Sequence, residues 1–202
     1  MASAISITAD HPLYDPLFSC CNGAELLRLA RTCKAFNGAI SDFVPRAFDI
    51  HRNLREFFTD PIGFRVMQSY TGAIVSGSFA LQFFIRAYYP LADLDIYVEA
   101  EKSSYVGRWL LKNGYIYVPA EKEYSGTTLR QDDDFEVAVK FLEYGWIGDD
   151  FSCKGVKGVL NFFGDIRGVV KKVQLIVTEG CAIEVVLKFP TSECSHRGAN
   201  IF

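Results

Sequence analysis

Ala73-Ile74-Val75-Ser76-Gly77-Ser78, followed across fourteen residues (79–92) by Asp93-Leu94-Asp95-Ile96-Tyr97-Val98-Glu99, is the stretch that decides the fold. Ala73 to Ser76 reads as a short buried strand, and Gly77 as the turn that leaves it. Phe79 to Tyr88 is apolar enough for a helix, which Pro90 ends. Leu94 to Glu99 then alternates, with Leu94, Ile96 and Val98 on one face and Asp95, Tyr97 and Glu99 on the other. A Gly-Ser turn entering a helix offers backbone N–H groups to a phosphate. Asp93 and Asp95 point to the same face about 6.5–7 Å apart, a spacing that suits joint binding of a hard cation. Phosphate cradle and carboxylate pair, one helix apart, are the parts a phosphoryl- or nucleotidyl-transfer site needs.

Downstream of this core, Lys102 to Asn113 suits an amphipathic helix with Val106, Trp109 and Leu110 facing inward, stopped by Asn113-Gly114. Tyr115 to Val118 resembles a strand. Residues 119–135 are polar, and Asp132-Asp133-Asp134 reads as a solvated loop or a helix start, where the helix dipole favours negative charge. Three strand-like runs follow at Gly155–Phe163, Val169–Thr178 and Ala182–Phe189, with Gly164-Asp165 and Glu179-Gly180 as turns. Pro190 to Phe202 has no clear period, and Trp146 reads as a packing residue in a loop.

Upstream, residues 1–16 read as irregular, broken by Pro12 and Pro16. From Leu17 to Phe43 the apolar residues Leu26, Leu27, Leu29, Ala30, Cys33, Phe36 and Ile40 recur at helical spacing. Asn22-Gly23 interrupts them, which predicts two short helices. Pro45 is expected to start another helix carrying Phe48, Ile50, Leu54, Phe57 and Phe58, ended by Asp60-Pro61, with a last one over Ile62–Thr71. Helices first, then β-α-β-α-β, then a strand-rich end predict an α+β fold: a mixed-sheet domain over 72–202 behind a helical segment over 1–71.

The bulk composition sets limits. A chain of 202 residues that is 50% hydrophobic, with 17 Phe and 10 Tyr, folds around a real core. The net charge is −3, from 21 basic and 24 acidic residues, and no Lys/Arg stripe marks a long nucleic-acid footprint. The six cysteines form no C-x-x-C pair, and the three histidines give no zinc spacing; Cys194-x-His196 reads as incidental. Free thiols, no visible signal peptide and no apolar run of membrane-spanning length predict a cytoplasmic or nuclear protein with no membrane partner.

Gly77-Ser78 with Asp93-Leu94-Asp95-Ile96 resembles the signature of the polymerase-β-like nucleotidyltransferase superfamily, although the gap here is slightly longer than usual. The likeness covers about residues 72–189. It implies a nucleotidyltransferase-like sheet core with Asp93 and Asp95 as catalytic ligands of a divalent metal, usually Mg2+, that carries a nucleoside triphosphate. Gly77 and Ser78 would then contact its phosphates, and the reaction would transfer a nucleotide to a hydroxyl acceptor. In that superfamily a third carboxylate on a later, neighbouring strand completes the site. The run Val173-Gln174-Leu175-Ile176-Val177 offers Gln174 and no acid. The next run supplies Glu184, which stands either as the third catalytic carboxylate or as a surface glutamate. The alternative implied by this departure is an inactive domain of the same fold, acting as a binding module.

Glu25-Leu-Leu-Arg-Leu-Ala-Arg-Thr-Cys-Lys-Ala-Phe-Asn37 resembles the second half of an F-box, with His11-Pro12-Leu13 only a loose counterpart of the usual Leu-Pro opening. That likeness implies an adaptor protein docked through residues 17–43; the other reading is that these helices simply cap the sheet domain. The whole arrangement also resembles a protein family abundant in mushroom-forming fungi, which carries no functional implication. Phe83, Phe84, Tyr88 and Tyr89 suit the core better than base stacking, and Lys171-Lys172 suits either triphosphate contact or a solvated strand start.

Overall fold

The computed structural model describes residues 11–90, 92–119, 131–143 and 155–188. The helical segment holds α1 (His11–Ser19), α2 (Gly23–Ala30), α3 (Lys34–Ala47), α4 (Ile50–Leu54) and α5 (Pro61–Thr71). The sheet region follows as β1 (Ile74–Ser76), α6 (Gly77–Ile85), β2 (Leu94–Glu99), α7 (Ala100–Lys112) and β3 (Tyr115–Val118). It continues with α8 (Gln131–Glu143), β4 (Val156–Ile166), β5 (Val169–Thr178) and α9 (Ala182–Lys188).

The strands form one sheet in the order β1-β2-β5-β4-β3. Among the described strands only β2 and β5 run parallel; the other neighbours are antiparallel, so the sheet is mixed and the fold is α+β. Strand alternation sorts the side chains into two faces. Leu94, Ile96 and Val98 of β2 and Val173, Leu175 and Val177 of β5 join Phe58, Phe64, Val106, Leu110, Phe135 and Phe162 in the main core. Phe58 stacks on Phe64 at 4.4 Å between centroids and meets Trp109 edge-on at 5.3 Å. Gly107 lets α7 approach α8 closely, because a Cβ there would run into the Phe135 ring.

The opposite face is covered by α9 toward the C-terminal ends of β2 and β5, where Val185 buries against Val156 and Ile176 beside Tyr97 and Val159. A bulge makes this cover effective. Val156 pairs with Thr178 while Gly158 pairs with Val177, so the extra residue turns Val156 toward α9.

The first three helices have a core of their own, built from Phe18, Leu26, Ile40 and Phe43. Phe18 meets Phe43 edge-on at 5.4 Å. Asn22 and Glu25 form a reciprocal capping box at the start of α2, which explains why the Asn-Gly step begins a helix. Arg86 ties this unit to the sheet region. Its Nη1 donates to the carbonyls of Phe18 (2.8 Å) and Cys21 (3.1 Å), and its Nη2 to Ser19 (3.0 Å). Those carbonyls lie at and just past the end of α1, so a cation there meets their dipole and adds to the bond that the Phe18 carbonyl accepts from Cys21 N at 3.2 Å. The backbone of Arg86 takes φ +56°, uncommon for a residue with a side chain, as it caps the end of α6.

Four expectations need correction. Ala182–Lys188 is a helix and not a strand. β5 already has β2 and β4 on its two edges, so a strand from the next segment finds no edge beside it, and Ala182 and Val185 at i and i+3 pack as a helix instead. Pro12 and Pro16 do not break the chain: α1 runs through both, with Pro12 in the first turn, where no helical N–H bond is lost. Pro45 lies inside the last turns of α3; the following helix, α4, starts at the cap Asp49, which accepts from the N–H groups of His51 and Arg52. Gly164-Asp165 continues β4, and the hairpin instead turns at Arg167-Gly168, both at positive φ, with Asp165 Oδ1 accepting from Gly168 N at 2.6 Å. The expected helix start near Asp132 falls within α8. Trp146, Cys194, His196 and residues 190–202 lie outside the described residues.

Candidate functional site

Asp93 and Asp95 sit at the start of β2 on the sheet face that α9 covers farther along, at Tyr97. Three strands meet them there through register alone. Antiparallel pairing sets Ser76 of β1 opposite Asp95. Parallel pairing sets Gln174 of β5 opposite Asp95 on the other side. Asn161 of β4 lies beyond, opposite Gln174. The result is a polar row, Ser76–Asp95–Gln174–Asn161, in which Gln174 Nε2 donates to Asn161 Oδ1 at 3.0 Å.

Two residues earlier along each chain segment, Lys172 Nζ donates to Asp93 Oδ2 at 2.9 Å. The pair is half-buried, with 31% of the lysine and 36% of the aspartate side chain exposed. Lys171 is turned the other way by strand alternation: its ammonium lies 3.8 Å from Glu56 and 5.2 Å from the centre of the Phe57 ring. Of the two adjacent lysines, only Lys172 faces the acids.

The Gly77 turn closes over Asp95. Gly77 has φ +71°, and a Cβ at that position would overlap Asp95 Oδ2 and stand 2.9 Å from its Cγ. Burial against this turn pushes the Asp95 carboxyl up to about 6, the charge of Asp93 adds to that, and Lys172 opposes it. Ser76 precedes α6 without a side-chain cap bond, and Gly77 and Ser78 are exposed at the helix start.

Glu184 does not join this group. It lies on the outer side of α9, 66% exposed, with its carboxylate 3.6 Å from Lys188 one turn on. Among the described residues no three His, Cys, Asp or Glu side chains come together to hold a metal ion. The donors therefore do not fit the metal set implied by the resemblance. One carboxylate is engaged by an ammonium, the place opposite the other is taken by a neutral amide, and the expected third acid is on a helix surface.

Phe84, Tyr88 and Tyr89, expected in the core, are exposed (65%, 69% and 41%). α6 turns Phe79 and Gln82 inward instead and ends at Ile85, before the tyrosines. A cleft of about 330 Å³ opens beside it, lined by Arg52, Asn53, Glu56, Gln82, Phe83 and Arg86 among others, on walls of mixed charge. Asn161 and the pairing of Lys172 with Asp93 were not anticipated from sequence, although the two-residue spacing of Lys172, Gln174 and Ile176 predicts that they share a face. No helix among the described residues is long and apolar enough to cross a membrane. Comparison of the chain with protein-family models, with curated proteins and with solved structures finds no significant match.

Proposed function

We infer that the chain is a catalytically silent nucleotidyltransferase-like domain that serves as a protein-binding module, with its first three helices as the F-box-like docking element. The observation that carries this reading is Gln174 in register with Asp95, where a carboxylate would be needed to complete the metal set. An amide bonded to Asn161 supplies neither the charge that two divalent ions require nor a base for an incoming hydroxyl. Without those, a bound triphosphate would keep most of its barrier to transfer.

The docking half of the reading is supported by how α1–α3 distribute their leucines. Leu26 is buried and Leu29 packs against the same small core, whereas Leu27 is 65% exposed on α2. A three-helix unit with its own core and an outward leucine can present that side chain to a groove on an adaptor protein without unfolding.

The test pairs two measurements on the full chain. Magnesium-dependent incorporation from labelled nucleoside triphosphates is expected to match the background of Asp93→Ala/Asp95→Ala, and incorporation that requires both acids would overturn the silent reading. Capture by a purified F-box-binding adaptor is expected with the wild-type chain and lost with Leu27→Glu. Capture that survives this substitution rules out docking through α2.

A further inference from the structure

The geometry points to Lys172 as the resident cation of the Asp93/Asp95 pair, standing on the sheet face where a divalent metal would otherwise be held, so that this chain keeps its carboxylates together without metal. Three observations converge on this role. The ammonium is 2.9 Å from Asp93 Oδ2, within charge-assisted hydrogen-bond distance. It is placed there by the backbone: Leu94 pairs with Val173 in the parallel ladder, which puts the preceding residues, Asp93 and Lys172, side by side on the same face. Its neighbour Lys171 is committed elsewhere, to Glu56 and the Phe57 ring, so the arrangement does not follow from two lysines crowding one end of a strand.

Electrostatics gives the arrangement a purpose. Asp93 and Asp95 lie close enough for the charge of one to raise the proton affinity of the other, and two like charges on a half-buried face need a counter-charge. A metal-binding site obtains it from the ion. Here the chain supplies it from β5, and Gln174 and Asn161 add hydrogen-bonding groups without adding charge. A divalent ion approaching Asp93 would have to displace the ammonium or accept a positive charge beside it. Gln174 and Lys172 are consistent with each other in this respect: with no third acid at the site among the described residues, one positive charge is a closer match to it than a pair of divalent ions.

The inference rests on the silent-site reading only for the missing third carboxylate, and its test involves no nucleotide. Binding of Mn2+ alone is followed by the paramagnetic signal of the free ion, in wild type, Lys172→Arg, Lys172→Met and Lys172→Met/Gln174→Glu. Wild type and Lys172→Arg are expected to take up no Mn2+ at this face in the millimolar range. Lys172→Met is expected to gain a single site that Asp93→Asn removes, and the added glutamate to tighten it about tenfold or more. Near-ultraviolet circular dichroism establishes that each variant is folded. If Lys172→Met loses its fold, the 15Nζ resonance of Lys172 in the wild-type chain decides: it is expected to shift with Asp93→Asn while that of Lys171 stays put, and an unmoved Lys172 signal refutes the pairing. Stoichiometric Mn2+ uptake by wild type at the affinity of Lys172→Met overturns the proposal. That uptake without nucleotide incorporation would leave the silent-domain reading standing, so the two can fail separately.

Discussion

Gly77 and Asp95 compete for the same space. The turn that ends β1 lies against the second carboxylate of β2 so closely that a Cβ at residue 77 would overlap Asp95 Oδ2. Phosphate-cradle turn and carboxylate, read from sequence as two separate parts, are one packed contact. This contact buries the Asp95 side chain and raises its proton affinity.

Gly77→Ala is expected to lower stability by about 2 kcal/mol or more, from the left-handed backbone that alanine resists and from displacement of Asp95. In an Asp95→Gly background the cost should fall to the backbone part, about 1 kcal/mol. Urea midpoints of the four proteins measure the coupling; equal costs in both backgrounds would show that the two residues do not touch.

Asp95 gives a pH signature of defined sign. Its folded value of about 6 lies above the ordinary carboxylate value of 3.8, so the folded state holds this proton more tightly than the unfolded chain. Stability contributed through this group is therefore present below about pH 4, declines as pH rises to about 6, and stays low above that. Asp95→Asn removes the penalty and is expected to stabilise the protein at pH 7.5 by on the order of 2 kcal/mol, with little effect at pH 4. Thermal melts across that range check it, and a benefit that is the same at every pH would contradict the assignment.

Arg86 predicts a regional effect. Arg86→Ala loses three bonds to the end of α1 and keeps the unfavourable positive φ, for a cost of about 2–3 kcal/mol. Arg86→Gly loses the same bonds but relieves the backbone, and should be about 1 kcal/mol better. Native-state hydrogen exchange is expected to speed up in α1 and α2 in both variants while amides of β5 are unchanged. Uniform acceleration across the chain would mean that the helical unit and the sheet open together.

The α2 leucines separate stability from docking. Leu26→Ala removes a side chain that is 2% exposed and should cost about 2–4 kcal/mol, whereas Leu27→Ala should change stability by no more than about 0.5 kcal/mol. Denaturant titration measures both; a large cost at Leu27 would place it in a packed interior.

What was legible in the sequence follows from local rules. Leu94-x-Ile96-x-Val98 shows its period within one strand, and Asp60-Pro61, read from sequence as the end of one helix, also caps the next by chemistry that acts over a few residues: Asp60 Oδ1 accepts from Gly63 N. The misread elements depend on tertiary facts. Ile183, Val185 and Leu187 alternate like a strand, but a strand beside β5 needs a free side there, and β2 and β4 occupy both. Glu184 lost its proposed place at the site for the same reason. Gln174 was visible as a missing acid, yet its position opposite Asp95 and the pairing of Lys172 with Asp93 emerge only once β2 and β5 are set in register.

That register also fixes when the site can exist. Asp93 and Lys172 are separated by 79 residues, and β2 and β5, beside which they stand, pair in parallel. Closing so long a loop is slow compared with forming neighbouring helices, whose contacts are local. α1 to α3, with their own small core, can therefore consolidate while the ribosome is still adding the rest of the chain, long before β5 is made. The lysine–aspartate contact reports completed folding: a truncated or half-folded chain would present its leucine-bearing helices without ever assembling the polar face.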